Sequence, residues 1–495
     1  MAEQPQAAGA AGAAPADTST VDALIDQLDL DHAYIDLYRK GIAGLVQKAA
    51  GLDLNKVTLN KQVVDDFISE IDQQISAQVN EVLHNDQFQK LESAWRSLWY
   101  LISNTEFRQN IRIEVLNAKK EDLLEDFQDC KDWQKSGLFK TVYRDQYNTF
   151  GGNPYGLMVA NYELDYRNPD VELMSEIARV SAVAKCPFIA GASPKMFDKK
   201  MDDFGHLPKL AEMYEIFEQP MYTKWNSFRD SDDARYVGLA MPRFLLRAPY
   251  TVANQDVKDF VFEEDVRTEN HDRYLWGNAA FALAGRMTES FAKFGWYNAI
   301  VGPTSGGTVP NLPLHQYEAT GQYHTKIPTE TLISEDMDVD LCNFGFIPLV
   351  MRKGSDNAAF FDAPSAKRVG KFPDTAEGKE DETRARLGMS LPYLMIQCRI
   401  AHYMKVIWRE NMGRVMDAEK MVNEINNWLK QYCRQGTLDE ELASKYPLKE
   451  IQVSATPVPG KPGMFKSEIQ MIPHFRLKGV EVQLSMVGQF DPPPQ

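Results

Sequence analysis

The residues best placed for nucleotide chemistry are the glycines of the loop at residues 302–307. Gly302 and Gly307 have the spacing of a phosphate-binding loop, whose main-chain N–H groups surround phosphate oxygens. Thr308 and Val309 stand where that motif needs Lys followed by Ser or Thr. Because no lysine is present to neutralise phosphate charge, the sequence predicts no nucleotide site here.

Histidines, cysteines and acidic clusters are the other candidates for chemistry, and their spacing favours none. The eight histidines contain no H-x-x-x-H pair, and the five cysteines contain no C-x-x-C pair. The acidic clusters at residues 230–233 and 263–265 lack the order of a calcium-binding loop, which favours solvated surface. The sequence therefore predicts no catalytic, cofactor-binding or metal residues, and reduced, mostly buried cysteines.

Composition places the chain among ordinary globular proteins of more than one domain. Its 495 residues are 44% hydrophobic and 25% charged. It has no run of eighteen apolar residues, and its first residues lack the basic start and apolar segment of a signal peptide. We therefore expect a cytoplasmic protein that does not insert into a membrane.

Charge is unevenly distributed along the chain. The formal net charge of −16 argues against broad nucleic-acid binding, which needs a basic surface. Residues 384–495 carry 15 basic and 11 acidic side chains, whereas residues 1–383 carry 39 and 59. Either solvated faces differ by chance, or the basic C-terminal part faces an acidic partner.

The N-terminal fifth of the chain is predicted to be disordered over residues 1–20 and helical over residues 21–109. Residues 63–83 carry one apolar stripe, and residues 86–103, with Asp86 as the expected N-cap, carry a second with a heavy aromatic face. The first stripe consists of Val64, Phe67, Ile68, Ile71, Ile75, Val79 and Val82. The second stripe consists of Phe88, Leu91, Trp95, Leu98, Trp99 and Ile102. Internal core is the default interpretation of both stripes, and docking of a partner is the alternative.

Residues 110–375 alternate between strand and helix signals, which is typical of an α/β core. Strands are predicted at residues 111–115, 155–160 and 186–190, and helices at residues 171–185 and 272–294, the latter ended by Gly295. Residues 364–391 are rich in Pro, Gly, Lys and Asp, which indicates an interdomain linker or a surface loop.

Residues 376–495 are predicted to form two helices, at residues 392–412 and 417–432, followed by about three strands. Apolar and polar residues alternate at residues 465–471 and 480–486, and residues 451–455 form the third candidate. A small open sheet leaves unpaired N–H and C=O groups on its edges, so a partner strand is expected to complete it. The predicted fold class is therefore mixed α/β, with N-terminal helices, an α/β core, C-terminal helices and a small open sheet.

Five ordered blocks resemble one family of proteins, the large sheath subunit of bacterial type VI secretion systems, TssC/VipB. They lie at residues 91–105, 155–162, 186–194, 236–245 and 391–403, within a resemblance that spans residues 59–486. Matched blocks of this length, in order, are more specific than any short motif in the chain.

The resemblance implies a fold like that of contractile phage tail sheaths and a structural role without catalysis. Members pair with a small sheath subunit, TssB/VipA, and stack helically around the Hcp inner tube. Their contraction drives the tube outward, and the ClpV ATPase, acting chiefly on the small subunit, then dismantles them. The resemblance also implies baseplate components as partners. In this family residues 110–375 would form the outer and middle layers, and residues 376–495 the inner layer, where strands are exchanged.

Three sets of candidate interaction residues follow from combining the resemblance with the patterns. The strand-exchange candidates are Ile469, Met471, Val480, Val482, Leu484 and Met486. The candidates that face the inner tube are Arg399, Lys405, Arg409 and Arg414, and those that dock the small subunit are Phe88, Leu91, Trp95 and Trp99. Two other classes of protein remain open on the residues alone: a cytoplasmic adaptor that does not polymerise, and an α/β enzyme of unknown type.

Overall fold

The computed structural model describes residues 40, 61–130, 132–149, 151–207, 210–255, 257, 260–266, 271–319, 321–410, 418–436, 438–457, 465–474 and 484–489. The predicted disorder of residues 1–20 lies outside these ranges, as do Arg414, Val480 and Val482. The chain divides into one unit of Met1–His84 with Tyr250–Asp265 and a second of Asn85–Pro249 with Val266–Gln495. The predicted domain boundaries at 109/110 and 375/376 stay predictions.

The first unit contains helix α1, Lys61–Leu83, and the segment Tyr250–Asp265. Glu264 joins the two: one carboxylate oxygen lies 3.2 Å from His84 Nε2 and the other accepts from the Tyr250 N–H at 2.9 Å. The Asp265 N–H donates to the Asn80 side chain at 3.0 Å. These bonds fix the last turn of α1 within the unit.

The second unit contains the remaining helices and the strands of the described residues. Its longer helices are α2 Asp86–Ser103, α3 Lys120–Asp129, α4 Asn168–Ala184, α5 Leu210–Glu218, α6 Thr223–Asp230, α7 Ala279–Phe294, α8 Glu335–Asn343, α9 Ala376–Met389, α10 Leu391–Glu410, α11 Ala418–Leu429 and α12 Glu440–Lys445. Its strands are β1 Met158–Leu164, β2 Phe188–Ala192, β3 Val237–Met241, β4 Phe244–Leu245, β5 Trp276–Gly277, β6 Thr308–Val309, β7 His315–Ala319, β8 Gln322–Lys326, β9 Phe346–Met351, β10 Ala358–Phe360, β11 Leu448–Pro457, β12 Phe465–Pro473 and β13 Leu484–Gln489.

A six-stranded sheet in the order β1-β2-β3-β9-β10-β6 forms the centre of this unit. The first four strands are parallel, and β10 is antiparallel to both of its neighbours. Successive residues of β2 enter different cores: Phe188 packs in the cluster that contains α4, and Ile189 packs in the cluster that contains α7 and α10. Because helices cover both faces, the inner parallel strands β2, β3 and β9 are apolar throughout, as predicted for the α/β core.

The residues that cap α7 and α2 show which predicted helix bounds were right and which were wrong. Gly295 ends α7 in the left-handed conformation, as predicted, but α7 begins at Ala279 with Asn278 as its N-cap. The prediction that the helix starts at residue 272 was wrong because β5 occupies Trp276–Gly277. Asn85, rather than Asp86, caps α2 by accepting from the main-chain N–H groups of the first turn.

Two other expectations were wrong. The surface-loop interpretation of residues 364–391 fails because they contain α9, Ala376–Met389, whose N-cap Thr375 accepts from the Gly378 N–H, whereas their interpretation as an interdomain linker stays a prediction. The predicted strand at residues 111–115 belongs to no sheet of the described chain.

The C-terminal elements form a third core beside the first two. Helices α10 and α11 pack against a three-stranded antiparallel sheet in the order β11-β12-β13, which confirms the three predicted strands. Tyr393, Ile400 and Leu429 from the helices and Val453 and Met471 from the sheet share this cluster.

Candidate functional site: the assembly surfaces

The first candidate surface is the aromatic face of α2, which is exposed within the described part of the chain. Phe88, Leu91, Trp95 and Trp99 are 37%, 55%, 65% and 67% exposed, respectively. A contiguous apolar patch of this kind on a soluble protein marks an interaction site. The interpretation of this stripe as internal core is therefore wrong for these four side chains.

The opposite face of α2 holds the helix firmly, so the aromatic face has a fixed position. Leu101 is buried against Phe281 and Ala284 of α7. Tyr100 meets Phe244 edge-on with ring centroids 5.3 Å apart. The Ser93 hydroxyl donates to the Trp276 carbonyl at 2.7 Å. A rigid helix that already presents its anchors loses little entropy when a partner binds.

Helix α1 shows the same exposure in the first unit. Ile68, Ile71, Ile75 and Val82 are exposed there, so the core interpretation of that stripe is wrong for these residues. The side chains of Val64 and Phe67 lie outside the described part of the chain.

The second candidate surface is the C-terminal sheet, whose strands differ in whether their main-chain edges are already occupied. Ile469 and Met471 lie on β12, the central strand, which pairs with β11 on one side and β13 on the other. Their main chain therefore has no free edge, and Met471 is buried in the C-terminal core. Leu484 and Met486 lie on β13, whose recorded pairing within the described residues is with β12.

The outer edge of β11 is occupied by an amide side chain. Asn426 of α11 accepts from the Val453 N–H at 2.8 Å and donates to the Val453 carbonyl at 2.9 Å. A side-chain amide thus takes the two bonds that a neighbouring strand would form. Because this edge is blocked at its middle, β13 is the edge of this sheet better suited to a partner strand.

The third set, the cations of α10, contacts the chain itself. Lys405 Nζ donates to the Val183 carbonyl at 3.2 Å and lies over the rings of Tyr143 and Tyr147 at 4.8 and 4.6 Å. Burial, followed by the nearby charge of Lys185, lowers the pKa of Lys405 to about 8. Lys405 therefore packs against other parts of the same unit.

Arg409 and Arg399 have similar intramolecular partners. The Arg409 guanidinium donates to four carbonyls at 3.1–3.4 Å, two at the end of the helical residues 137–147 and two in the stretch that follows, those of Gln146, Tyr147, Thr149 and Gly152. Arg399 stacks over Phe291 at 4.4 Å and donates to the Tyr403 hydroxyl at 2.9 Å. These contacts account for both charges within the chain, and their orientation toward an inner tube stays a prediction.

Sequence reasoning missed a buried ionic cluster around Glu330. Its carboxylate accepts from Arg243 at 2.5 and 2.7 Å, from His271 at 3.0 Å and from the Phe204 N–H at 3.0 Å. Burial would raise the pKa of Glu330, but the hydrogen bonds from His271 and Arg243 lower it to about 2. No sequence signal links these residues, which come from four distant segments.

Asp203, His271 and Glu330 bring ligand atoms within 4.8 Å of one another, a spacing that suits a metal ion. The Arg243 guanidinium, however, forms two bonds to the same Glu330 carboxylate. A cation placed there would meet that positive charge and compete for oxygens already in use. The arrangement fits a structural ion pair better than a metal centre.

The glycine loop at residues 302–307 forms a turn. The Gly302 N–H donates to the Phe360 carbonyl at 2.7 Å and the Gly307 N–H to the Gly302 carbonyl at 2.9 Å. Two N–H groups that a phosphate would need are therefore bonded within the protein.

Among the helices of the described ranges, none combines the length and the apolar character that crossing a membrane requires.

The chain joins an α/β core to C-terminal helices and a small sheet, and two family models identify it as a contractile tail sheath protein. Residues 65–367 match the VipB family, described as "EvpB/VC_A0108, tail sheath N-terminal domain". Residues 380–490 match its companion, "EvpB/VC_A0108, tail sheath gpW/gp25-like domain".

The chain is also 37% identical over 431 residues to "Type VI secretion system sheath protein TssC1" of Pseudomonas aeruginosa strain PAO1, covering 86% of this chain and 85% of that protein. The chain therefore belongs to the TssC/VipB family of type VI secretion sheath proteins, and its role is that of a structural sheath subunit.

Proposed function

We propose that this chain pairs with a small sheath subunit of the TssB/VipA type in the cytoplasm, polymerises helically around an Hcp inner tube and contracts to propel it. The observation that carries the proposal is the exposed aromatic face of α2 on a helix fixed by its opposite side. Tryptophans on such a surface are typical binding anchors, since they bury a large area on contact.

The small subunit would dock through an apolar groove or helix that covers Phe88, Leu91, Trp95 and Trp99. Anchors at three- and four-residue spacing on one helix face are the usual pattern of helix-in-groove recognition. The distance along α2 from Phe88 to Trp99 corresponds to about three helical turns.

Strand exchange would link neighbouring subunits at the β13 edge, since Asn426 occupies the edge of β11. Main-chain hydrogen bonds would hold the donated strand with little dependence on its side chains. Leu484 and Met486 lie on that edge strand, so of the six strand-exchange candidates these two are the described residues in position to meet it.

Contraction would draw its energy from assembly, because the glycine loop that resembled a nucleotide site is closed by its own hydrogen bonds. Folded subunits would exchange weaker lateral contacts for larger ones, and small free-energy differences per subunit would add up over many subunits.

Contacts with ClpV, chiefly through the small subunit, and with baseplate components are part of the proposal on the resemblance alone.

The proposal that α10 faces the inner tube rests on the excess of basic residues after residue 383. Charge reversal at Arg399, whose guanidinium lies among exposed and half-buried rings, tests it. Sheaths that still form around the tube with Arg399→Glu would exclude this residue from tube contact.

Coexpression with the small subunit, followed by negative-stain electron microscopy, tests the proposal as a whole. Tubules are expected from the parent pair and not from Trp95→Glu/Trp99→Glu, whereas Leu332→Glu, at another exposed apolar residue, should leave them intact. Deletion of residues 480–495 should also abolish tubules if β13 supplies the linkage. A monodisperse complex or a lone soluble chain without tubules would favour the adaptor or the enzyme instead.

A further inference from the structure

A buried carboxylate on α8, that of Asp338, has an oxygen that the described part of the chain leaves unbonded. Asp338 is 7% exposed, and its Oδ1 atom accepts no hydrogen bond from any described residue. Burial of a carboxylate without hydrogen-bond partners costs free energy that folded chains normally avoid. Such a group indicates a partner that comes from outside the chain.

The charged groups that act on Asp338 are acidic as well. Burial, followed by the negative charges of Asp362 and Glu335, raises the pKa of Asp338 to about 7. Asp362 follows β10, whereas Glu335 lies one turn earlier on α8. Asp338 and Asp362 also act together on Cys342, one turn later, since burial and then these two charges raise the pKa of its thiol. Three carboxylates from two segments thus surround one buried position, and only a positive charge relieves their repulsion.

A basic side chain suits this position better than a metal ion does. The spacing of ligand atoms that fits a metal ion occurs in the Glu330 cluster and, within the described residues, in no group that includes Asp338. The oxygens around Asp338 are therefore spread more widely than a metal ion would hold them. Val339 and Phe361, each next in sequence to one of the carboxylates, are 52% and 47% exposed. Lysine and arginine combine a charged head with an apolar stem, which matches acidic groups bordered by apolar ones.

The position of α8 shows which neighbour is placed to supply that side chain. Leu341 of α8 packs in the cluster that contains α4, on one face of the central sheet. Helix α2 packs through Leu101 on α7, and α7 lies in the cluster on the other face. A small subunit seated on Trp95 and Trp99 is therefore on the far side of the sheet from Asp338. In a stack of such pairs, a second copy of this chain is the neighbour left for this side.

We propose that Asp338, together with Asp362 and Glu335, binds a lysine or arginine side chain of a second copy of this chain in the assembled sheath. The inference rests on the proposed function and adds a contact between copies to it. Copies of a chain with a net charge of −16 repel one another, so contact between them needs basic side chains set against acidic sites.

Asp338→Asn tests this role because it separates assembly from stability. At pH 8, above the pKa of Asp338, the variant removes an uncompensated buried charge, so the purified chain should unfold at a higher temperature than the parent. The variant also removes the group that receives the cation, so the concentration needed to form tubules with the small subunit should rise at least about tenfold. Asp336→Asn, at an exposed acidic residue in the first turn of α8, is the matched control and should stay close to the parent in both measurements.

Two results with Asp338→Asn would overturn the inference. Lower stability of the purified variant would mean that the chain itself satisfies the carboxylate. Higher stability with unchanged tubule formation would mean that no partner uses this group.

Electron cryomicroscopy of the parent tubules identifies the occupant. We expect a lysine or arginine nitrogen of a second copy within about 4 Å of the Asp338 carboxylate. A metal ion, a side chain of the small subunit or solvent alone at that position would overturn the inference while leaving the proposed function intact. If the parent pair forms no tubules, the proposed function fails, and this inference fails with it.

Discussion

The side-chain ammonium of Lys405 donates a hydrogen bond to the main-chain carbonyl of Val183, 3.2 Å away, at the end of α4. One turn earlier on α10, His402 Nε2 lies 3.0 Å from the Ala184 carbonyl. The last carbonyls of a helix lack intrahelical partners and carry partial negative charge. The basic stripe of α10 thus caps another helix and joins the C-terminal elements to the α/β core.

Replacing Lys405 with methionine should remove the pH dependence that Lys405 gives to the free energy of unfolding. The pKa of Lys405 is about 8, whereas an unfolded lysine titrates at ~10.4. Between these values the unfolded chain binds more protons than the folded chain, so the free energy of unfolding of the parent should rise with pH, by up to about 3 kcal/mol.

Urea unfolding of the purified protein between pH 7.5 and 10 would measure this rise. Lys430→Met, at an exposed lysine of the same region, is the matched control and should follow the parent. Parallel pH profiles for Lys405→Met and the parent would show that Lys405 is not the group that titrates.

Protonation linked to His402 should lower the free energy of unfolding in acid. Burial lowers the pKa of His402 to about 4, against the opposing effect of its bond to Ala184. Since an unfolded histidine has a pKa near ~6.5, the unfolded chain gains the proton first as pH falls. The free energy of unfolding should therefore decrease between pH 6.5 and pH 4, by up to about 3 kcal/mol.

A His402→Gln variant retains an amide donor for the carbonyl but does not titrate, so its free energy of unfolding should fall less over that range. His474→Gln, which also removes a histidine bonded to a carbonyl, serves as the control. If both variants lose stability in acid as the parent does, other groups are responsible.

Removal of the Asn426 amide should open the edge of β11. Asn426→Ala deletes two bonds to Val453 and should cost about 1–3 kcal/mol, whereas Asn427→Ala, one residue along at an exposed position, should cost little. Chemical unfolding would measure the difference. Amide exchange at Val453 should become faster in Asn426→Ala alone, and unchanged exchange would mean that the amide does not protect this edge.

The pair of Arg243 and Glu330 should show strong coupling. Arg243→Met leaves a buried carboxylate without its main partner, which typically costs about 3–5 kcal/mol. Glu330→Gln added to that variant should recover part of the loss, because the uncompensated charge is removed. Unfolding free energies of the four proteins form a double-mutant cycle, and additive losses would contradict direct coupling.

The periodicity of apolar residues was sufficient to predict elements whose pattern depends on that element alone. The apolar run at residues 186–190, which became part of β2, indicated a strand covered on both faces, and the alternation around Ile469 indicated a strand with one buried face. Ordered blocks of sequence indicated the family, and the family matches confirm it.

The same periodicity did not show which surfaces are covered. The stripe that contains Trp95 and Trp99 is apolar in sequence whether it faces a core or a partner, and the structure shows that α7 packs against the other side of α2. The pattern at residues 111–115 likewise indicated a strand, but within the described residues it pairs with no strand of any sheet.

The sequence by itself determined the fold class, the family and the main secondary structure, because hydrophobic periodicity and matched blocks are local properties of the chain. The tertiary structure alone decided the environment of each charge and each edge. Lys405 and Val183 are 222 residues apart, and Asn426 and Val453 are 27 apart. Such contacts depend on how whole elements pack, and no local pattern encodes which carbonyl an ammonium group will reach.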